Sequence, residues 1–278
     1  MSDISMVCNC CPHRCSLSEG QTGMCGARKH TGERIESINY AHITSAALDP
    51  IEKKPLMHFH PGAKIFSIGS FGCNLFCPFC QNHSISRAKE GDIDTDLIYP
   101  DELLNIALGL RSEGNIGVAF TYNEPLVSWE YVRDCAKLLK KNGLFTVLVT
   151  NGCFLQEVLD EVLPYTDAMN IDLKCFTTSG YESLSGDLET VKTFIEKTHT
   201  LSHIELTSLI VPGLNDSIQE MKYECEWIAG ISPDIPLHIT RFFPCHKMRD
   251  SYPTDVLLMH RLKDEALKKL KYVHLGNV

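Results

Sequence analysis

Three cysteines carry the clearest chemistry in the sequence: Cys73, Cys77 and Cys80, spaced C-x3-C-x2-C on the segment Cys73-Asn74-Leu75-Phe76-Cys77-Pro78-Phe79-Cys80. Three thiolates on one loop can cap three irons of a cubane cluster and leave the fourth iron without a protein ligand. An open iron can bind a small molecule through an amine and a carboxylate. The competing reading is a structural zinc ion, which takes four ligands and would recruit His83. A second group, Cys8, Cys11, Cys15 and Cys25, puts four soft ligands within eighteen residues, with Cys10 beside them and His13 able to replace one. That set suits tetrahedral Zn2+ or an auxiliary iron-sulfur cluster, and spacing alone does not choose between them.

Composition narrows the setting. The chain has 278 residues, 13 of them Cys, and a formal net charge of -9. An acidic chain makes a poor general nucleic-acid binder, because that affinity comes largely from phosphate neutralisation. No apolar run reaches the roughly 20 residues that cross a bilayer. Met1-Ser2-Asp3-Ile4-Ser5 has neither a basic nor an apolar export region. The expectation is a cytoplasmic protein with no membrane and no nucleic-acid partner. In that reducing compartment cysteines serve as ligands, catalysts or small buried hydrophobes rather than disulfides. Cys135, Cys153, Cys175, Cys225 and Cys245 lie among apolar neighbours and read as buried hydrophobes.

The elements that must position the cluster loop follow from hydrophobic periodicity. Strands are expected at 64–69, 116–120, 145–149, 168–173, 204–211, 236–242 and 272–275. Helical patterns fall at 100–111, 128–141, 155–163, through Val191-Phe194-Ile195, at 217–229 and at 255–270. About six βα units in succession predict an α/β fold with a parallel sheet. A partial (β/α)6 barrel of the TIM type is the reading adopted, and an open doubly wound sheet is its competitor. Residues 1–62 read as a Cys-rich metal-binding appendage that folds over the barrel mouth, and 63–278 as the barrel itself.

In a barrel the C-terminal strand ends face the active site. Here they carry Thr121-Tyr122-Asn123-Glu124-Pro125, Thr150-Asn151-Gly152, Asn170-Ile171-Asp172-Leu173-Lys174, Val211-Pro212-Gly213-Leu214-Asn215-Asp216 and His238-Ile239-Thr240-Arg241. Singly these are turns and caps, Asp216 for the helix at Ser217 among them. Together they predict one polar pocket beside the cluster loop.

With its aromatic Phe79 before the last cysteine, C-x3-C-x2-C resembles the signature of radical S-adenosylmethionine (SAM) enzymes. The strand-end segments resemble the SAM-binding stations of the pyruvate formate-lyase activating enzyme group. That resemblance implies a 4Fe-4S cluster on Cys73, Cys77 and Cys80. It implies SAM contacts from Phe79, Asn123, Glu124, Thr150, Asn151, Asp172, Lys174 and His246. It departs at Val149, where activating enzymes can carry an Asp of a monovalent-cation site, so no cation is expected beside Asp172. Cys11-Pro12-His13-Arg14-Cys15, Gly23-Met24-Cys25-Gly26, Asp49-Pro50-Ile51-Glu52-Lys53-Lys54-Pro55-Leu56 and Cys80-Gln81-Asn82 resemble the AmmeMemoRadiSam-system radical SAM group. That group continues beyond the segment ending here at Gly276-Asn277-Val278, and a short branch with this look is the queuine lyases of queuosine salvage.

The resemblance implies a radical enzyme that draws one electron from flavodoxin or ferredoxin and acts on a small molecule, queuine being the specific expectation. A glycyl-radical activase acting on a protein is the competing one. Asp49, Glu52, Lys53, His238 and Arg241 are the candidate substrate residues, with Glu52 and Lys53 as the catalytic pair. The ordinary alternatives are a solvated charge run for Asp49, Glu52, Lys53 and their neighbour Lys54, and a satisfied core histidine for His238.

Overall fold

Alternating apolar runs and amphipathic stretches condense here into one eight-stranded sheet. A computed structural model describes residues 5–278, so residues 1–4, read above for an export signal, lie outside the described residues. The strands are β1 (Ser45–Pro50), β2 (Lys64–Gly69), β3 (Asn115–Phe120), β4 (Phe145–Thr150), β5 (Ala168–Asp172), β6 (His203–Ile210), β7 (Leu237–Arg241) and β8 (Val273–Gly276). Across the sheet they follow chain order, β1 to β8, with β2 to β8 parallel and β1 antiparallel on the β2 edge. Consecutive parallel strands are neighbours because a short crossover returns a twisted strand beside the previous one. The sheet is open, with β1 and β8 as its edges.

The crossover helices are α1 (Pro100–Gly109), α2 (Trp129–Lys141), α3 (Gln156–Val162), α4 (Leu188–His199), α5 (Ile218–Ile231) and α6 (Val256–Ala266). In α2 the buried face is Tyr131, Val132, Cys135, Ala136 and Leu139, the apolar stripe that a 3.6-residue period lays along one side. The starts of α4, α5 and α6 are fixed by Asp187, Ser217 and Asp255, each accepting a backbone N–H of the first turn. A cap of this kind contributes about 1 kcal/mol. Ser217, not Asp216, therefore caps α5.

The leading segment contains more sheet than its sequence suggests. Met6–Val7 pairs with Ser16–Leu17, and Arg28–His30 with Ile35–Ser37. Residues 45–50 become β1, bonded to β2 along its length. All 13 cysteines are free thiols. Cys135, Cys153, Cys175 and Cys225 are buried, as their apolar neighbours suggest. Cys245 is only partly buried, and its thiol donates to the Phe79 carbonyl at 3.0 Å.

After β1 the chain turns through residues 51–60 and closes the end of the sheet where the parallel strands begin. Ile51, Leu56, Ile65, Ala119, Val147 and Ala168 form one buried cluster there, with Phe59 against it. The Pro55 carbonyl accepts from Asn170 Nδ2 at 2.9 Å, while Met57 N and His58 N donate to Glu205 at 3.0 and 2.7 Å. Among the described residues no helix is long and apolar enough to cross a membrane.

Candidate active site

The loop after β2 must turn sharply to carry three cysteines over the strand ends, and two glycines permit it. Gly72 has φ +90, a conformation that costs a residue with a Cβ dearly. A Cβ there would lie 2.7 Å from the Cys25 carbonyl oxygen and 2.9 Å from Ala27 Cβ. Gly69 leaves room for Tyr122, whose Cβ and ring would stand 2.8 Å from any Cβ at that position.

Asn123 holds this turn in place. Its Nδ2 donates to the carbonyls of Phe71 and Gly72 at 3.0 and 3.1 Å, and its Oδ1 accepts from Ser70 N at 2.9 Å. Glu124, buried, joins the end of β3 to the end of β4. Its carboxylate accepts from Leu126 N (3.0 Å), Thr150 Oγ1 (2.7 Å) and Asn151 N (2.8 Å). Burial pushes its carboxyl up to about 7, against the pull of those three hydrogen bonds. Asn151 Nδ2 then donates to Asn74 Oδ1 at 2.9 Å, which brings the β4 end back to the cluster loop.

These residues enclose a cavity of about 280 Å3 at the C-terminal strand ends. Cys73, Cys77, Cys80 and Phe79 line it from the loop; Asn123, Glu124, Thr150, Asn151, Asp172 and Lys174 line it from the strand ends. Lys174 Nζ pairs with Asp172 Oδ2 at 2.7 Å. Burial works against the Lys174 charge, but Asp172 and the neighbouring Cys77 and Cys80 outweigh it and hold the ammonium above its ordinary range.

The expected SAM residues thus share one wall system, with the exception of His246. That residue, at φ 48, stacks its ring on His83 at 4.4 Å outside the cavity, on a turn tied to the cluster loop by Lys247 N donating to the Pro78 carbonyl at 3.0 Å. His83 is therefore engaged with His246 and does not join the three thiols as a fourth ligand on the cavity wall. Three thiols facing one cavity, with no fourth sulfur or imidazole there among the described residues, match the donor set of a cluster with an open iron. Among the described residues no three His, Cys, Asp or Glu side chains converge on a single-ion position.

The candidate substrate residues separate. Glu52 Oε1 accepts from Gly62 N at 2.6 Å, and the Lys53 side chain is 68% exposed; neither lines the cavity. Arg241 points to the opposite face of β7 from the cavity residue Thr240, donates to the Thr254 carbonyl at 2.8 Å and lies over Phe243. His238 shares the inward face with Thr240 but lies two residues, about 6.6 Å, nearer the start of β7. There its Nε2 donates to Glu205 at 2.6 Å, inside a group that includes His203 and His274. His238 is a satisfied core histidine.

Asp49 leads to a partly buried trio with Lys54, a member of the same charged run, and Tyr122, a member of the β3 strand-end segment, to neither of which the sequence assigns a specific role. Lys54, only 4% exposed, pairs with Asp49 Oδ2 at 2.8 Å. The Tyr122 hydroxyl donates to the same oxygen at 3.0 Å, and the Lys54 ammonium lies 4.8 Å from the Tyr122 ring centre. Burial opposes the Asp49 charge, yet Lys54, Tyr122 and Lys53 hold its carboxyl at about 2. Tyr122 adopts φ 69, rare for an aromatic residue, which turns its ring inward along β2 and onto the cavity wall. Thr207, Leu209 and Thr240 also line the cavity. Their two-residue alternation on β6, and the inward register of β7, were the available sequence signals.

Comparison with known proteins agrees with this geometry. Residues 67–227 match the family model of the radical SAM superfamily. An uncharacterized protein of Methanocaldococcus jannaschii is 34% identical over 100% of this chain and 83% of its own length. A pyruvate formate-lyase-activating enzyme of Clostridium pasteurianum is 27% identical over 72% of this chain and 83% of its own. A 7-carboxy-7-deazaguanine synthase of Methanocaldococcus jannaschii is 26% identical over 47% of this chain and 58% of its own. Among solved structures, Streptococcus suis SuiB superposes with a TM-score of 0.58 at 10% identity, covering 75% of this chain and 47% of that one. Escherichia coli QueE superposes with a TM-score of 0.52 at 14% identity, covering 86% and 93%. These last two likenesses speak to the fold: α/β with a mostly parallel central sheet. On its cysteine loop, its sheet and the match over residues 67–227, the chain belongs to the radical SAM superfamily.

Proposed function

We propose that this chain is a radical SAM enzyme whose substrate is a small polar molecule held against Tyr122, with queuine as the specific candidate and 7-aminomethyl-7-deazaguanine as the product. Radical SAM enzymes use a 4Fe-4S cluster and SAM, which together supply a one-electron cleavage giving methionine and a hydrogen-abstracting 5′-deoxyadenosyl radical. In this reading Cys73, Cys77 and Cys80 hold the cluster, and flavodoxin or ferredoxin supplies the electron. Asn123, Asn151, Asp172 and Lys174 hold SAM, and Phe79 packs beside it. Glu124 fixes the ends of β3 and β4 so that those groups keep their spacing. The sheet serves as an arc of a partial (β/α)6 barrel, and Cys8, Cys11, Cys15 and Cys25 hold a second metal.

The observation carrying the substrate reading is the Asp49–Lys54–Tyr122 trio. A buried lysine and a partly buried carboxylate lie behind an aromatic ring that lines the cavity. A ring face of this kind stacks a planar heterocycle, and the ion pair behind it supplies charge in a water-poor place. The relatives include a 7-carboxy-7-deazaguanine synthase, and queuine is itself a 7-deazaguanine. In place of Glu52 and Lys53, this reading gives substrate orientation to Tyr122 and Lys54, supported by the Tyr122 ring on the cavity wall and the Lys54 ammonium behind it.

The second reading is a glycyl-radical activase, favoured by the activating-enzyme names among the relatives. Anaerobically reconstituted protein, given SAM and dithionite, should release 5′-deoxyadenosine and methionine. Added queuine should convert to 7-aminomethyl-7-deazaguanine by mass. SAM cleavage with queuine unchanged sinks the lyase reading and leaves the activase reading; absence of any 5′-deoxyadenosine sinks both.

A further inference from the structure

Behind the cluster loop lies a second chamber, lined by Cys8, Cys10, Cys11, Cys15, Cys25 and Arg28. Its free space is about 10 Å3, the volume of about one water-sized sphere. Among the described residues no three of these thiols yet converge on one ion position, so a single ion is accommodated only as they draw together around it; a cubane of four irons and four sulfides is too large for the space. Arg28 supplies an independent observation. The residue is 7% exposed, its Nη1 is bonded to Glu130 and its Nη2 to the Ile35 carbonyl. Its buried Nε–H has no partner among the described residues. An unsatisfied N–H on a buried cation is costly unless an acceptor, best an anionic one, faces it.

We infer that Cys8, Cys11, Cys15 and Cys25 bind one structural Zn2+, and that Arg28 Nε–H donates to one of the bound thiolates. Four thiols lose four protons as Zn2+ binds, leaving a net charge of −2 that the Arg28 guanidinium partly offsets. Cys10 stands outside the ligand set, because its thiol donates to the Leu126 carbonyl at 3.6 Å. The centre is fastened to the radical-cluster loop at two points. Cys73 N donates to the Cys25 carbonyl at 3.1 Å, and His13 Nε2 donates to the Asn74 carbonyl at 2.8 Å. His13 is thereby engaged and does not replace a cysteine. The zinc centre thus positions the loop that carries Cys73, Cys77 and Cys80, and this holds whatever the enzyme's substrate is.

The test separates the two metal sites. Full-length protein with Cys73, Cys77 and Cys80 all changed to Ala, purified anaerobically, should retain one zinc per chain by elemental analysis, with no iron or sulfide. Cobalt substituted into it should show thiolate-to-cobalt charge-transfer absorption. Arg28→Lys keeps the Glu130 ion pair and removes the Nε–H; zinc transfer to a chromogenic chelator should then quicken by roughly 10-fold, the usual scale for a lost outer-shell partner. Iron with sulfide in the triple variant, or the absence of stoichiometric metal, overturns the zinc assignment. An unchanged transfer rate in Arg28→Lys overturns the role of Arg28.

Discussion

The backbone N–H of Cys73 donates to the carbonyl of Cys25 at 3.1 Å. The first cysteine of the radical-cluster loop and the last of the N-terminal set are thus bonded peptide to peptide. Gly72 lies between them with no side chain, and its φ of +90 brings the two strands of chain together.

Gly72→Ala should therefore damage both sites at once. Its backbone conformation alone costs a residue with a Cβ about 1–3 kcal/mol. The added methyl group also meets the Cys25 carbonyl oxygen at 2.7 Å. The expected result is a lower midpoint in denaturant and sub-stoichiometric iron after reconstitution. Full iron content with unchanged stability would refute the close approach.

Cys73→Ala, Cys77→Ala or Cys80→Ala should each abolish 5′-deoxyadenosine formation while leaving the far-ultraviolet circular dichroism unchanged. All three thiols are only partly buried and lie on a loop outside the strands. Retained SAM cleavage in any one of them would remove that residue from the cluster.

Tyr122→Phe and Lys54→Met should uncouple the reaction. Each removes one partner of Asp49 behind the cavity wall, leaving the cysteines and the SAM residues untouched. SAM cleavage should continue, and substrate conversion should fall by at least 10-fold. Lys53→Ala, at an exposed side chain, should leave conversion within about twofold, since an exposed ion pair contributes 0–1 kcal/mol. If Lys53→Ala is the damaging change and Lys54→Met is silent, the assignment of the two lysines is reversed.

Glu205 should make the fold acid-sensitive. Burial opposes its charge, but His203, His238 and the N–H groups of Met57 and His58 hold its carboxyl at about 2, below its ordinary 4.5. A carboxyl lowered on folding contributes stability above the unfolded value and loses it as pH falls from 4.5 toward 2. The full contribution is on the order of 3 kcal/mol. Glu205→Gln should be less stable by that order at pH 7, and the gap from wild type should narrow below pH 4. An equal gap at pH 7 and pH 3 would mean that His58, His203, His238 and His274 hold this end of the sheet together without the carboxylate's charge.

Much of this molecule is local in sequence. C-x3-C-x2-C needs only a loop after a strand, and the alternation of apolar runs needs only the periods 2 and 3.6. The cysteine triplet, the parallel α/β sheet and the polar strand ends were legible for that reason. Strand β1 was not, since pairing with β2 is a tertiary contact and Ser45-Ala46-Ala47-Leu48-Asp49-Pro50 has no strong alternation. The choice between Lys53 and Lys54 is of the same kind. Adjacent residues of identical chemistry differ only in direction, and the turn after β1 sends one to solvent and the other beneath Tyr122. His238 and Thr240 share a face by sequence parity, but which of them reaches the cavity depends on depth along β7, and His238 lies at the end that residues 51–60 close through Glu205. Residue types and spacing therefore determined the chemistry available to this protein. Tertiary structure decided which side chains reach it, because side-chain direction and distance along a strand are set by long-range pairing.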